Sequence, residues 1–65
     1  MPSRITFTAA GSAEPLMLEV SEEPDKVETA VNQAGGVPFR LTKAEGGDVV
    51  YVNPLAIAFW ESYEA

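Results

Sequence analysis

An apolar run, Val49-Val50-Tyr51-Val52 followed by Leu55-Ala56-Ile57-Ala58-Phe59-Trp60, is interrupted only by Asn53-Pro54. The stretch from Asp48 to Tyr63 carries four of the six aromatic residues and the only tryptophan. A chain of 65 residues has room for one domain spanning residues 1–65 and one core, so this stretch must supply much of that core. Such a chain buries only about 60% of the surface its unfolded form exposes. Disulfides or a structural metal often make up the difference. Neither can be read here. Without cysteine there is no disulfide, zinc–thiolate site or redox centre. Without histidine the commonest general base and transition-metal ligand are missing. Stability then has to come from close packing or from association with another chain.

What precedes the run reads as partners for it. Arg4-Ile5-Thr6-Phe7-Thr8 alternates strictly, with Ile5 and Phe7 on one side, as a half-buried strand does. Residues 9–15, with Gly11-Ser12, read as a turn or loop. Leu16-Met17-Leu18-Glu19-Val20 alternates again and can close a hairpin with the first strand. Ser21-Glu22-Glu23-Pro24-Asp25 is a helix start, with proline in the first turn and acids against the positive helix end. Val27, Ala30, Val31 and Ala34 follow at the spacing of one helical face, and Gly35-Gly36 supplies the stop. The helix is about eleven residues long, and its stripe of small side chains suits close packing on a sheet. Val37 to Lys43 is a third strand, with Val37, Phe39 and Leu41 inward. Ala44-Glu45-Gly46-Gly47 is a hairpin turn, and Val49 to Val52 a fourth strand, apolar on both faces.

After Pro54 two readings stay open. Asparagine before proline is a respectable helix start, which would give ββαββα with a C-terminal helix. Ile57-Ala58-Phe59-Trp60, however, would make a helix bulky on all sides, and a chain this short can hardly bury all of it. A tight turn over Asn53–Ala56 and a fifth strand from Ile57 to about Ser62 is the preferred reading. The expected fold is then α+β, a small two-layer domain in the order ββαβββ, with one helix on a mostly antiparallel sheet. Its expected core is Ile5, Phe7, Leu16, Leu18, Val20, Val27, Val31, Phe39, Leu41, Val50, Val52, Ile57 and Phe59.

The run Val50-Tyr51-Val52-Asn53-Pro54-Leu55-Ala56-Ile57-Ala58-Phe59-Trp60-Glu61 resembles a step found in small bacterial proteins: a strand, V-N-P-x-x-I, then a second strand ending near a glutamate. It is similar to the N-P-x-x-I step of the flagellar-associated FlbD-like family, and to short actinobacterial proteins with a V-N-P step near the C-terminus. The resemblance covers about a dozen residues and does not extend to Met1–Lys43. It implies the strand–turn–strand reading at Asn53 and carries no activity and no binding residues.

The search for chemistry is mostly negative. Serine catalysis without histidine needs a serine–lysine pair, and Ser3, Ser12, Ser21 and Ser62 sit in no such motif. No catalytic residue and no cofactor site is assigned, and the chain reads as a non-enzyme. Glu22, Glu23, Asp25 and Glu28 could gather round a hard cation, but read better as a solvated helix start, so no metal site is assigned. The two diglycines lack the Lys-Ser/Thr of a phosphate loop. Ten acids against four bases give a net charge of −6, which argues against nucleic acid and anionic membrane surfaces as partners. Arg4, Arg40, Phe39, Tyr51 and Trp60 would make a poor stacking platform under that charge. With no signal-peptide pattern and no membrane-length apolar run, the expected location is cytoplasmic.

The positive signal is surplus apolar surface. With Val50, Val52, Ile57 and Phe59 inward, strict alternation puts Val49, Tyr51, Ala58 and Trp60 on the other face, beside Arg40. One small helix cannot cover both faces. Val49, Tyr51, Trp60 and Arg40 are therefore the candidate interface of a small protein-interaction module, its protein partner unidentified, with a homodimer the first possibility. The alternative is an acidic regulator or mimic that docks on a basic protein surface.

Overall fold

The computed structural model of the chain describes residues 1–8 and 16–63. The elements run β1 (Ser3–Phe7), β2 (Leu16–Val20), α1 (Pro24–Ala34), β3 (Phe39–Thr42), β4 (Val49–Val52), a 3-10 turn (Pro54–Ala56) and β5 (Ile57–Ser62). This is a small α+β domain in the order ββαβββ, and a strand, not a helix, closes it. The turn expected over residues 9–15 lies outside the described residues.

Local chemistry sets each boundary. Pro24 occupies the first turn of α1, where its missing N–H costs nothing, and the Glu23 carbonyl accepts from the Lys26 and Val27 amides at 2.9 and 3.0 Å. The helix ends where Gly35 turns left-handed, at φ 61°. At the second break, Asn53 Oδ1 accepts from the Leu55 amide at 3.0 Å and the Asn53 carbonyl accepts from the Ala56 amide at 3.0 Å. An asparagine side chain that mimics a backbone turn, next to a proline, stops β4 and redirects the chain into β5.

The strands form two sheets where one was expected. One has the order β2-β1-β5 and the other is the β3-β4 ribbon, all pairs antiparallel. They meet at one corner. Val20 bridges Lys43, the Ser21 amide donates to the Thr42 carbonyl at 2.9 Å, and the Ala44 amide donates to the Glu19 carbonyl at 3.0 Å. Pairing goes no further because the chain leaves β2 at Ser21 to begin α1. The completely or almost completely buried apolar residues are Ile5, Val20, Val27, Leu41 and Val52, drawn from four strands and the helix. Phe7, Leu18, Val31, Phe39, Val50, Ile57 and Trp60 pack around them.

Three residues expected inside lie outside. Val37 is exposed, because Pro38 has no amide to give a ladder and pairing starts only at Phe39. Leu16 is exposed because it sits at the end of the sheet, opposite Phe7, the last residue of β1. Phe59 is 52% exposed, for a different reason. Along β5, Phe7 pairs with Ile57, Thr6 with Phe59 and Ile5 with Trp60, so Ala58 is an extra residue without a partner. This β-bulge resets the alternation, and Ile57 and Trp60 both face inward while Phe59 faces out.

Candidate protein interface

The β3-β4 ribbon carries most of the candidate residues. Its register pairs Arg40 with Tyr51 and Thr42 with Val49 on one face, and Phe39 with Val52 and Leu41 with Val50 on the other. Leu41 and Val52 are buried, so the first set faces solvent. Tyr51 is 73% and Val49 56% exposed, side by side on one strand. Arg40 lies across from Tyr51, is exposed, and makes no ion pair among the described residues. A surface depression of about 360 Å³ runs alongside, lined by Glu22, Arg40, Leu41, Thr42 and Val49.

The hydrogen-bond parity of the ribbon follows from its hairpin end. There the Lys43 amide donates to the Asp48 carbonyl at 2.8 Å. Antiparallel pairs alternate between bonded and non-bonded positions. Val50 and Val52 therefore bond to β3, while the main-chain groups of Val49 and Tyr51 point to the open edge of β4. On β3 the same parity sends the Thr42 groups away from β4. Its amide donates to both oxygens of the Glu22 carboxylate, at 3.0 and 3.1 Å, and its carbonyl accepts from Ser21. Glu22 thus fills the place of a missing strand.

Trp60 does not belong to this face. The Ala58 bulge turns it inward, where its indole Nε1 donates to the Pro24 carbonyl at 3.2 Å and its ring packs on the core. The tryptophan expected in the interface instead anchors the first turn of α1 to β5. Phe59 takes the outward position and, with Met17, flanks Thr6 on the outer face of the three-stranded sheet. Thr6 is only 8% exposed between these two large neighbours, although it lies on the solvent side. Beside it, Arg4 pairs with Glu19 at 3.3 Å and lies 4.5 Å from the centre of the Tyr63 ring.

Two of the acids at the helix start have separate partners. Glu22 holds the Thr42 amide, and Glu23 meets the terminal amino group of Met1 at 3.4 Å. Among the described residues no three metal-ligating side chains come together, and no helix is long and apolar enough to cross a membrane. The Ser3, Thr8 and Thr29 hydroxyls all donate to backbone carbonyls, which ties them to structure. Comparison with protein-family models, curated proteins and solved structures finds no match to this chain.

Sequence reasoning missed Glu22 and Phe59. Glu22 carries no local signal, since its partner Thr42 is 20 residues away. For Phe59 a signal existed. Four consecutive apolar residues, Ile57 to Trp60, are compatible with either parity, and the small Ala58 is the residue a bulge can leave unpaired.

Proposed function

We propose that this chain is a small, non-enzymatic protein-interaction module that works in the cytoplasm and associates with itself through the outer face of β3-β4. Val49, Tyr51 and Arg40 form the contact. The observation that carries this reading is the exposure of Tyr51 and Val49 together on a strand with an unpaired edge. Tyrosine and arginine around a small apolar centre are the composition of energetically dominant contacts. The resemblance at Asn53-Pro54 adds no activity, and the reading does not rest on it.

Sedimentation of the chain from micromolar to millimolar concentration tests it. The wild type should shift toward a dimer, and Tyr51→Glu, folded by circular dichroism, should remain a monomer. A wild type that is monomeric throughout ends this reading.

One observation supports a second reading, a docking module for a basic protein. Glu23, Asp25, Glu28, Glu45 and Asp48 are all exposed, on a chain of net charge −6. Binding of that kind weakens steeply as salt rises, which separates it from an apolar contact.

A further inference from the structure

Sheet edges are hydrogen-bonding templates, and folded proteins blunt them. Along β5 the edge is broken by the Ala58 bulge and carries Glu61. The C-terminal end of β2 is covered by the corner contacts of Glu19 and Ser21 with Ala44 and Thr42. On β3 the amide of Thr42 is plugged by Glu22. Nothing comparable protects β4. Val49-Val50-Tyr51-Val52 is regular, without charge, proline or bulge, and its outward donors and acceptors at Val49 and Tyr51 are unpaired among the described residues.

We infer that the edge of β4 pairs, antiparallel and about a two-fold axis, with β4 of a second copy of this chain. The inference rests on the self-association proposed above and gives it a geometry. With the axis at Val50, Val49 of each copy lies opposite Tyr51 of the other. Both residues present their main-chain groups at that edge, so the two pairs exchange four hydrogen bonds. On the outer face each Val49 then packs against a Tyr51, a favourable β-branched–aromatic cross-strand pair. Val50 meets Val50 on the inner face. No charged residue is opposed to its own copy within the strand.

At the seam the local charge placement favours a second copy, against the bulk repulsion of two chains of net charge −6. The antiparallel arrangement keeps the two acidic hairpin turns, each with Glu45 and Asp48, at opposite ends of the joined sheet. It also brings each turn to the end where Arg40 of the other copy lies, across from Tyr51. Arg40 has no ion pair within its own chain among the described residues. The two-fold axis supplies one.

Amide exchange by NMR, read together with sedimentation, tests this. As concentration rises and dimer forms, the Val49 and Tyr51 amides should become protected in step with it. Val49→Pro removes one outward donor, at the first residue of an edge strand where proline is tolerated, and should weaken the dimer about tenfold or more. The exposed pair Glu45→Lys with Asp48→Lys lowers the net charge from −6 to −2, four units for two reversals, so bulk repulsion alone would tighten the dimer. Pairing with Arg40 predicts loosening instead, by about threefold or more, at about 0.15 M salt where bulk repulsion is largely screened. A dimer in which Val49 and Tyr51 exchange as fast as in the monomer overturns the edge geometry and leaves self-association standing. So does a dimer indifferent to Val49→Pro. A dimer tightened by the double lysine variant overturns the local charge placement as what favours a second copy. A chain that stays monomeric with both amides unprotected overturns the geometry and the self-association together, and leaves the edge to a foreign strand.

Discussion

Trp60 joins two elements that share no backbone ladder. Its ring fills the inner face of β5 while its indole N–H reaches the first carbonyl of α1. Removing only the hydrogen bond, with Trp60→Phe, should cost about 1 kcal/mol. Removing the ring, with Trp60→Ala, should cost about 3 kcal/mol or more. A domain of this length has a total of about 3–10 kcal/mol, so the alanine variant loses a large share of its stability. Urea unfolding followed by circular dichroism measures both, and equal costs would show that the ring contributes nothing beyond its N–H. Glu22 makes a similar case without any apolar surface. Glu22→Ala strands the Thr42 amide in a partly buried place and should cost about 1–2 kcal/mol. Glu22→Gln keeps an acceptor oxygen there and should cost less than half as much. If neither variant is destabilised, the carboxylate is not what closes the edge of β3; if both are destabilised equally, a neutral acceptor oxygen cannot replace it.

At the level of elements, how far the sequence could be read depended on whether its pattern admitted one solution. For α1 it did. Proline at the first turn, a four-residue apolar stripe and Gly35 agree on both ends, and the helix spans Pro24–Ala34. Gly35→Ala should cost about 1 kcal/mol, all of it backbone, because φ is 61° and nothing lies within 4 Å of an added methyl. On β3 the alternation has one solution, and β4, apolar on both faces, takes its parity from its register with β3. For β5 the pattern admitted two solutions, and the bulge chose the one that puts Trp60 inside. Two of the interface residues on β4 and one on β3 therefore keep their expected face, and Trp60 does not. The division into two sheets left no mark in the sequence, because it depends on where the chain turns from β2 into α1. Deleting Ala58 tests the bulge assignment. Because Ala58 has no partner, its removal should leave Ile57, Phe59 and Trp60 on their present faces, with Trp60 emission unchanged. A shift of that emission toward solvent would show that Ala58 is part of the alternation.

For the whole molecule, net charge sets the conditions under which association is visible. Two copies of charge −6, with extents of 30 × 27 × 19 Å, repel as bodies before any strand can meet. At a centre separation of about 25 Å the repulsion is about 6 kcal/mol in pure water. Screening leaves about 3 kcal/mol at about 0.01 M salt and well under 1 kcal/mol at about 0.15 M. The dimer should therefore tighten at least tenfold between these conditions. Docking on a basic partner responds with the opposite sign, so a dilution series in two buffers distinguishes the two readings.

The bulge at Ala58 also bears on how far assembly can go. Growth into a fibre needs two adhesive borders on every subunit, one to receive and one to offer. Here β4 offers one regular border, while β5 is interrupted by the bulge, β3 is plugged at Thr42 and β2 is covered at its C-terminal end, so a pair that has joined along β4 keeps no second uninterrupted border with which to recruit a third member. The single unpaired alanine that interrupts β5 is, on this view, also a chain terminator, and the shortened β5 of the deletion variant is where filaments would first be expected to appear.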